Sequence, residues 1–91
     1  MNEQEVFDAL KYRIEVDAYG IRRYYNAAKQ LHRTDGPAVE DANGNQWWWQ
    51  NGKRHRIDGA AIAYSGGYMA WYINGDELSE DEFYQAVKQI V

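Results

Sequence analysis

His32-Arg33-Thr34-Asp35 and His55-Arg56-Ile57-Asp58 set an imidazole, a guanidinium and a carboxylate within four residues of one another, twice. A histidine can act as a general base, an aspartate can orient it, and an arginine can hold an anion. The duplication points elsewhere. A catalytic set is seldom repeated at the period of its own scaffold. An aspartate that closes its turn, and an arginine or histidine that pairs with a neighbouring repeat, would recur with every copy. The expectation is therefore no enzyme and no catalytic residue. Two histidines with no third ligand placed by a motif fall short of a metal site, so neither a metal nor another cofactor is expected. There is also no glycine-rich phosphate loop and no nucleophile elbow.

Binding is better represented. Gln46-Trp47-Trp48-Trp49-Gln50 is the most unusual run in the chain. Read as one strand, it puts Trp47 and Trp49 on one face and Trp48 on the other. Basic residues follow in Lys53-Arg54-His55-Arg56, and Arg22-Arg23 precedes Tyr24-Tyr25 in the same manner. Trp, Tyr and Arg dominate the energetic centres of protein interfaces. Trp47, Trp49, Arg54 and Arg56, with Tyr24 beside them, are the expected partner contacts. The same interleaving suits a single-stranded nucleic acid, whose bases stack on aromatic rings. The acidic total and the lack of a known nucleic-acid-binding motif make that the alternative. Asp76, Glu77, Glu80 and Asp81 form an acidic surface of opposite character. It could imitate a phosphate backbone, or simply favour a helix N-terminus.

These residues ride on a repeat. Leu31-His32-Arg33-Thr34-Asp35-Gly36-Pro37-Ala38-Val39 returns 23 residues later as Arg54-His55-Arg56-Ile57-Asp58-Gly59-Ala60-Ala61-Ile62. Trp48-Trp49-Gln50-Asn51-Gly52 returns at the same offset as Trp71-Tyr72-Ile73-Asn74-Gly75, and Gly44 as Gly67. Trp47 aligns only with Ala70. A first copy starts near Gly20, with Tyr24-Tyr25-Asn26 as its aromatic run. The third copy departs after Asn74-Gly75, as the terminal cap of an array does. Asn51-Gly52 and Asn74-Gly75 are type I′ hairpin turns by residue type. Asp35-Gly36 and Asp58-Gly59 supply a second turn per unit. Ser79-x-x-Glu82 is a capping box ahead of Phe83, Val87, Ile90 and Val91, which are spaced for one helix face. Val6, Leu10 and Phe7 indicate a short helix over about 3–10. Tyr12, Ile14 and Val16 alternate with polar residues as in a half-buried strand.

The fold expected is mainly β: an antiparallel β-hairpin repeat meander of about six or seven strands. A short N-terminal helix precedes it and a C-terminal capping helix over 80–90 closes it. Residues 1–91 make a single domain, with the repeat region over 18–78. With no cysteine, no disulfide can support so thin a core, and the 14 aromatic residues must build it. Charge is segregated: residues 11–56 carry nine Lys/Arg against five Asp/Glu, and residues 57–91 one against six. No apolar run is long enough to span a membrane, and the acidic start is opposite to a secretory leader. The expected location is cytoplasmic.

The His-Arg-x-Asp-Gly-Pro-Ala motif within an aromatic-Asn-Gly repeat resembles a repeat in small phage and prophage proteins, distantly related to the MORN-type β-hairpin repeat. The resemblance covers residues 18–76. Ala60 departs from it by replacing the usual proline, and only two full motifs are present. It implies a viral accessory protein that binds a host protein, an inhibitor of a host defence (anti-CRISPR-like) or of a regulatory protein. Self-association through a sheet edge is a further expectation.

Overall fold

The computed structural model describes residues 2–90. Helix α1 (Glu3–Lys11) comes first, with Asn2 as its cap, accepting the Glu5 backbone N–H at 2.8 Å. Its apolar residues do not enter the core: Val6, Phe7 and Leu10 are 44, 50 and 79% exposed. The residue α1 buries is Asp8.

The strands are short: β1 (Arg13–Val16), β2 (Arg22–Tyr25), β3 (Val39–Glu40), β4 (Gln46–Trp47), β5 (Trp49–Gln50), β6 (Lys53–Arg54), β7 (Ile62–Ala63), β8 (Met69–Ile73) and β9 (Asp76–Leu78), before helix α2 (Glu80–Ile90). Seven form one antiparallel sheet in the order β1-β2-β3-β4-β7-β8-β9. The β5–β6 hairpin stands apart as a two-stranded ladder, inserted between β4 and β7. The molecule is a mainly β hairpin meander with a helix at each end. It is elongated, 40 × 28 × 22 Å, as an array of repeats should be.

The turns follow the period. Asp17–Ile21, Asp41–Asn45 and Tyr64–Tyr68 each close with a backbone bond between their end residues, at 2.9–3.1 Å. Each needs a glycine at positive φ: Gly20, Gly44 and Gly67. At the opposite end of each hairpin, Asn51-Gly52 and Asn74-Gly75 have positive φ at both residues, as type I′ requires. The first copy has the longer loop Asn26–Gln30 there, which absorbs its extra residue.

Two expectations need correction. The run Gln46–Gln50 is not one strand. It breaks at Trp48, whose N–H donates to the Ala61 carbonyl at 2.7 Å while its own carbonyl accepts the His55 N–H. The chain turns there from the central sheet into the outlying hairpin, so a single alternation cannot put Trp47 and Trp49 on a shared face. Strand β1 is an edge, and Val16 is 57% exposed rather than half-buried. Both edge strands carry charge: Arg13 and Glu15 on β1, Asp76 and Glu77 on β9. Such edges resist pairing with another sheet.

The core consists of Tyr12, Tyr24, Ala38, Ala60, Ala61, Ile62, Ala70 and Phe83. α2 closes one end against β8 and β9. Its capping box is formed in both directions: Ser79 Oγ accepts the Glu82 N–H, and Glu82 Oε1 accepts the Ser79 N–H. Phe83 is fully buried and Val87 half-buried. The side chain of Ile90, and Val91, lie outside the described residues. Because no other large side chain among the described residues is buried as fully, Phe83→Ala should destabilise the fold by about 3–5 kcal/mol. The exposed Phe7→Ala should change it by no more than about 0.5 kcal/mol. Urea denaturation followed by tryptophan fluorescence measures both.

Candidate functional site

The twice-repeated His-Arg-x-Asp-Gly motif builds the same clamp in both copies. The Arg33 guanidinium lies 4.1 Å over the Tyr24 ring, and that of Arg56 lies 3.8 Å over the Trp48 ring. Nε of each donates to the aspartate two residues on, Arg33 to Asp35 at 3.2 Å and Arg56 to Asp58 at 2.7 Å. Nη1 of each donates to the carbonyl four residues on, that of Pro37 or Ala60. The proline ring is therefore not what the clamp uses, and Ala60 serves as well. The glycine is needed for room. A Cβ on Gly36 would lie 2.7 Å from Arg33 Cζ, and one on Gly59 2.9 Å from Arg56 Cζ. Neither glycine has positive φ, so it is the closeness of the guanidinium, not turn conformation, that selects it.

The histidines join one repeat to the next. His32 Nδ1 accepts the backbone N–H of Asn51 at 2.9 Å, and His55 Nδ1 that of Asn74 at 3.0 Å. A nitrogen that accepts carries no hydrogen, so in both rings the N–H is on Nε2. Asp35 is held by Arg33 and by the Tyr12 hydroxyl, which donates at 3.0 Å. Burial pushes its carboxyl up, but the Tyr12 bond and the Arg33 charge outweigh this and hold it below the ordinary 3.8. Imidazole and carboxylate thus bond to different partners, and the parts of the apparent catalytic set do not address one another.

The sequence-predicted contact residues separate into three groups. Tyr24 is 3% exposed, beneath Arg33 and edge-on to Tyr12 at 5.6 Å. A ring so placed cannot touch a partner, and the expectation for Tyr24 is withdrawn. Trp49 and Arg54 come together. They are cross-strand partners on β5 and β6, and the Arg54 guanidinium lies 5.1 Å from the Trp49 ring and 5.4 Å from that of Tyr72. Trp49, Arg54 and Tyr72 line an open cleft of about 350 Å³ with Lys53. Arg54 Nε is buried there without a partner among the described residues. Trp47 stands apart on β4, in edge contact with Tyr64 at 5.6 Å, which in turn lies 5.2 Å from Tyr68. Arg56 lines a separate recess beside Trp48. Asp76, Glu77, Glu80 and Asp81 are all exposed, at the β9 edge and the first turn of α2.

Tyr64 and Tyr68, 39 and 55% exposed, were not foreseen. A signal was available: Tyr64 occupies the turn position that Asp17 and Asp41 hold in the earlier copies. Among the described residues no group of three His, Asp or Glu side chains could hold a metal ion, and no helix is long and apolar enough to cross a membrane.

The partial burial of His55 makes stability depend on pH. Burial holds the His55 pKa below its ordinary 6.5. The folded state then binds this proton less readily than the unfolded one. The contribution is complete above 6.5 and is lost as pH falls through the lower folded value. Thermal melts should show this contribution declining on acidification below 6.5. His55→Asn keeps an acceptor near Nδ1 without titrating, and should flatten that part of the profile.

No protein-family model, curated protein or solved structure matches this chain.

Proposed function

We propose that this protein is a non-catalytic protein-binding module of phage type, an inhibitor of a host defence or regulatory protein. The reading rests first on where the chemistry-bearing residues are. His32, Arg33, Asp35, His55, Arg56 and Asp58 all make contacts that hold the repeat itself. The observation that carries it is the aromatic cluster of Trp47, Tyr64 and Tyr68, the two tyrosines 39 and 55% exposed. These are positions where the repeat pattern is broken. Two exposed tyrosines gathered on a half-buried tryptophan are what an interface core is made from. The Trp49–Arg54–Tyr72 cleft adds a second anchor, with a half-buried cation against two rings. The phage and host elements of the proposal rest on the motif resemblance alone.

Capture of a host protein by the immobilised chain should be lost in Trp47→Ala/Tyr68→Ala and weakened about tenfold or more in Arg54→Ala, with circular dichroism unchanged. Undiminished capture by both variants overturns the proposal. One observation favours nucleic acid as a second reading: Lys53 and Arg54 line one cleft with Trp49 and Tyr72, rings on which a base could stack. A gel shift with a steep salt dependence, lost in Trp49→Ala, would identify it.

A further inference from the structure

The two Arg clamps are equivalent within their own motifs and differ in what lies over them. Over the first, α1 supplies a cover. Asp8 Oδ2 lies 3.6 Å from Arg33 Nη2, and the pair is almost fully enclosed, with the two side chains 6 and 11% exposed. Gln4 steadies the Asp8 carboxylate at 2.9 Å. One helical turn beyond Asp8, Tyr12 places its ring edge-on to Tyr24. Its hydroxyl donates to Asp35 and accepts the Thr34 backbone N–H at 3.1 Å. Glu40 completes the neutralisation of Arg33 at 3.1 Å.

Each of these has a counterpart position at the second clamp, and each is vacant of its partner there. Trp48, Arg56, Ile57 and Asp58 stand where Tyr24, Arg33, Thr34 and Asp35 stand. Glu40 is replaced by Ala63. Among the described residues Arg56 pairs only with Asp58, and its Nη2 has no counterpart to Asp8. The Ile57 N–H has no counterpart to the Tyr12 hydroxyl. The Trp48 indole N–H is buried without an acceptor. In place of a cover there is a recess of about 290 Å³ lined by Thr34, Trp48, Gln50, Arg56, Ile57 and Asp58. The third copy has no such vacancy, because it lacks the arginine and α2 packs on β8 and β9.

We infer that the Trp48–Arg56–Asp58 recess is a docking site for a protein segment that presents a carboxylate and, one helical turn later, a tyrosine. Such a segment would set its carboxylate on Arg56 Nη2 and its ring edge-on to Trp48. Its hydroxyl would lie between Asp58 and the Ile57 N–H, as α1 does over the first clamp. The inference rests on the protein-binding reading and names the chemistry of one partner contact. The charge supports it: Arg56 faces one carboxylate where Arg33 faces three.

The probe is a synthetic peptide of residues 2–12 of this chain, which carries the Asp8 and Tyr12 side chains in the required spacing. It is titrated into the ¹⁵N-labelled full chain. The tethered α1 keeps the first clamp by its high effective concentration, so the second is the one available. Saturable shifts of the Trp48 indole N–H and the Arg56 Nε–H, with a dissociation constant on the order of 1 mM, are the expected result. A peptide with Asp8→Asn and Tyr12→Phe should leave both resonances in place. Ile57→Glu in the protein changes an exposed residue at the mouth of the recess and should weaken binding roughly fivefold or more by repulsion. Resonances that do not move, that move equally with the altered peptide, or that move at Arg33 or Arg54 instead overturn the inference. If host-protein capture is lost in Trp47→Ala/Tyr68→Ala yet persists in Ile57→Glu, and no peptide binds, this inference fails while the protein-binding reading stands.

Discussion

A guanidinium pressed between an aromatic ring and a glycine is the contact on which this fold depends. The planar group covers the ring face, sends Nε to a carboxylate two residues on, and sends Nη1 to a carbonyl four residues on. Lysine could stack, but its point charge cannot bridge two acceptors in one plane. The geometry fixes the bend from Arg to Ala within each motif. The bend in turn brings the Ala38 and Ala61 carbonyls to the N–H groups of Tyr24 and Trp48. These alanines are completely buried, so nothing larger than a methyl group fits beside the ring. Arginine, aromatic, aspartate, glycine and alanine therefore form one unit, and a change at any of them disturbs the others.

The clamp also sets what the ends of the array must supply. A buried cation needs compensation, and leaving it unpaired costs several kcal/mol. At the first clamp the compensation comes from Asp8, Asp35 and Glu40, which is why α1 docks through a carboxylate and leaves its apolar residues in water. At the third copy the arginine is gone, and α2 closes the end with the buried Phe83. One end is sealed by charge and hydrogen bonds, the other by hydrophobic burial. The middle clamp lies between these solutions. Its arginine is less buried than Arg33 and has Asp58 alone.

Much of the architecture was legible because it rests on local chemistry. Asn-Gly at positive φ, the capping box at Ser79 and Glu82, and the 23-residue period are each decided within a few residues. What could not be read depends on contacts between distant positions. The break of the tryptophan run at Trp48 requires Ala61 and Arg56 to be in place. The burial of Tyr24 requires Arg33 above it and Tyr12 beside it. The burial of Asp8 runs against the periodicity of α1, because apolar spacing registers where Val6 and Leu10 point and not which face finds a partner. For the candidate contacts, sequence position ranked Tyr24 and Trp47 together, although one is an interior ring and the other lies against Tyr64.

The aromatic cluster at Trp47 has a structural origin in the same alignment. Arg23 holds the Trp47 position in the first copy and pairs with Asp17 of its own turn at 2.9 Å. In the second copy the arginine is replaced by Trp47, and the turn aspartate, Asp41, bonds Asn45 instead at 2.7 Å. In the third copy the turn aspartate is itself replaced, by Tyr64, which meets Trp47 across the strand pair β4–β7. An ion pair within one repeat has thus become an aromatic pair between two. The exchange has a consequence for the surface. The half-buried Arg23–Asp17 pair satisfies its two charges within its own repeat and leaves no apolar surface uncovered. A tyrosine and a tryptophan in edge contact leave apolar ring surface in water, and that surface gains free energy when something covers it. The repeat is therefore broken in the direction that replaces an internally satisfied ion pair by partly uncovered ring surface, and it is broken at both members of the pair.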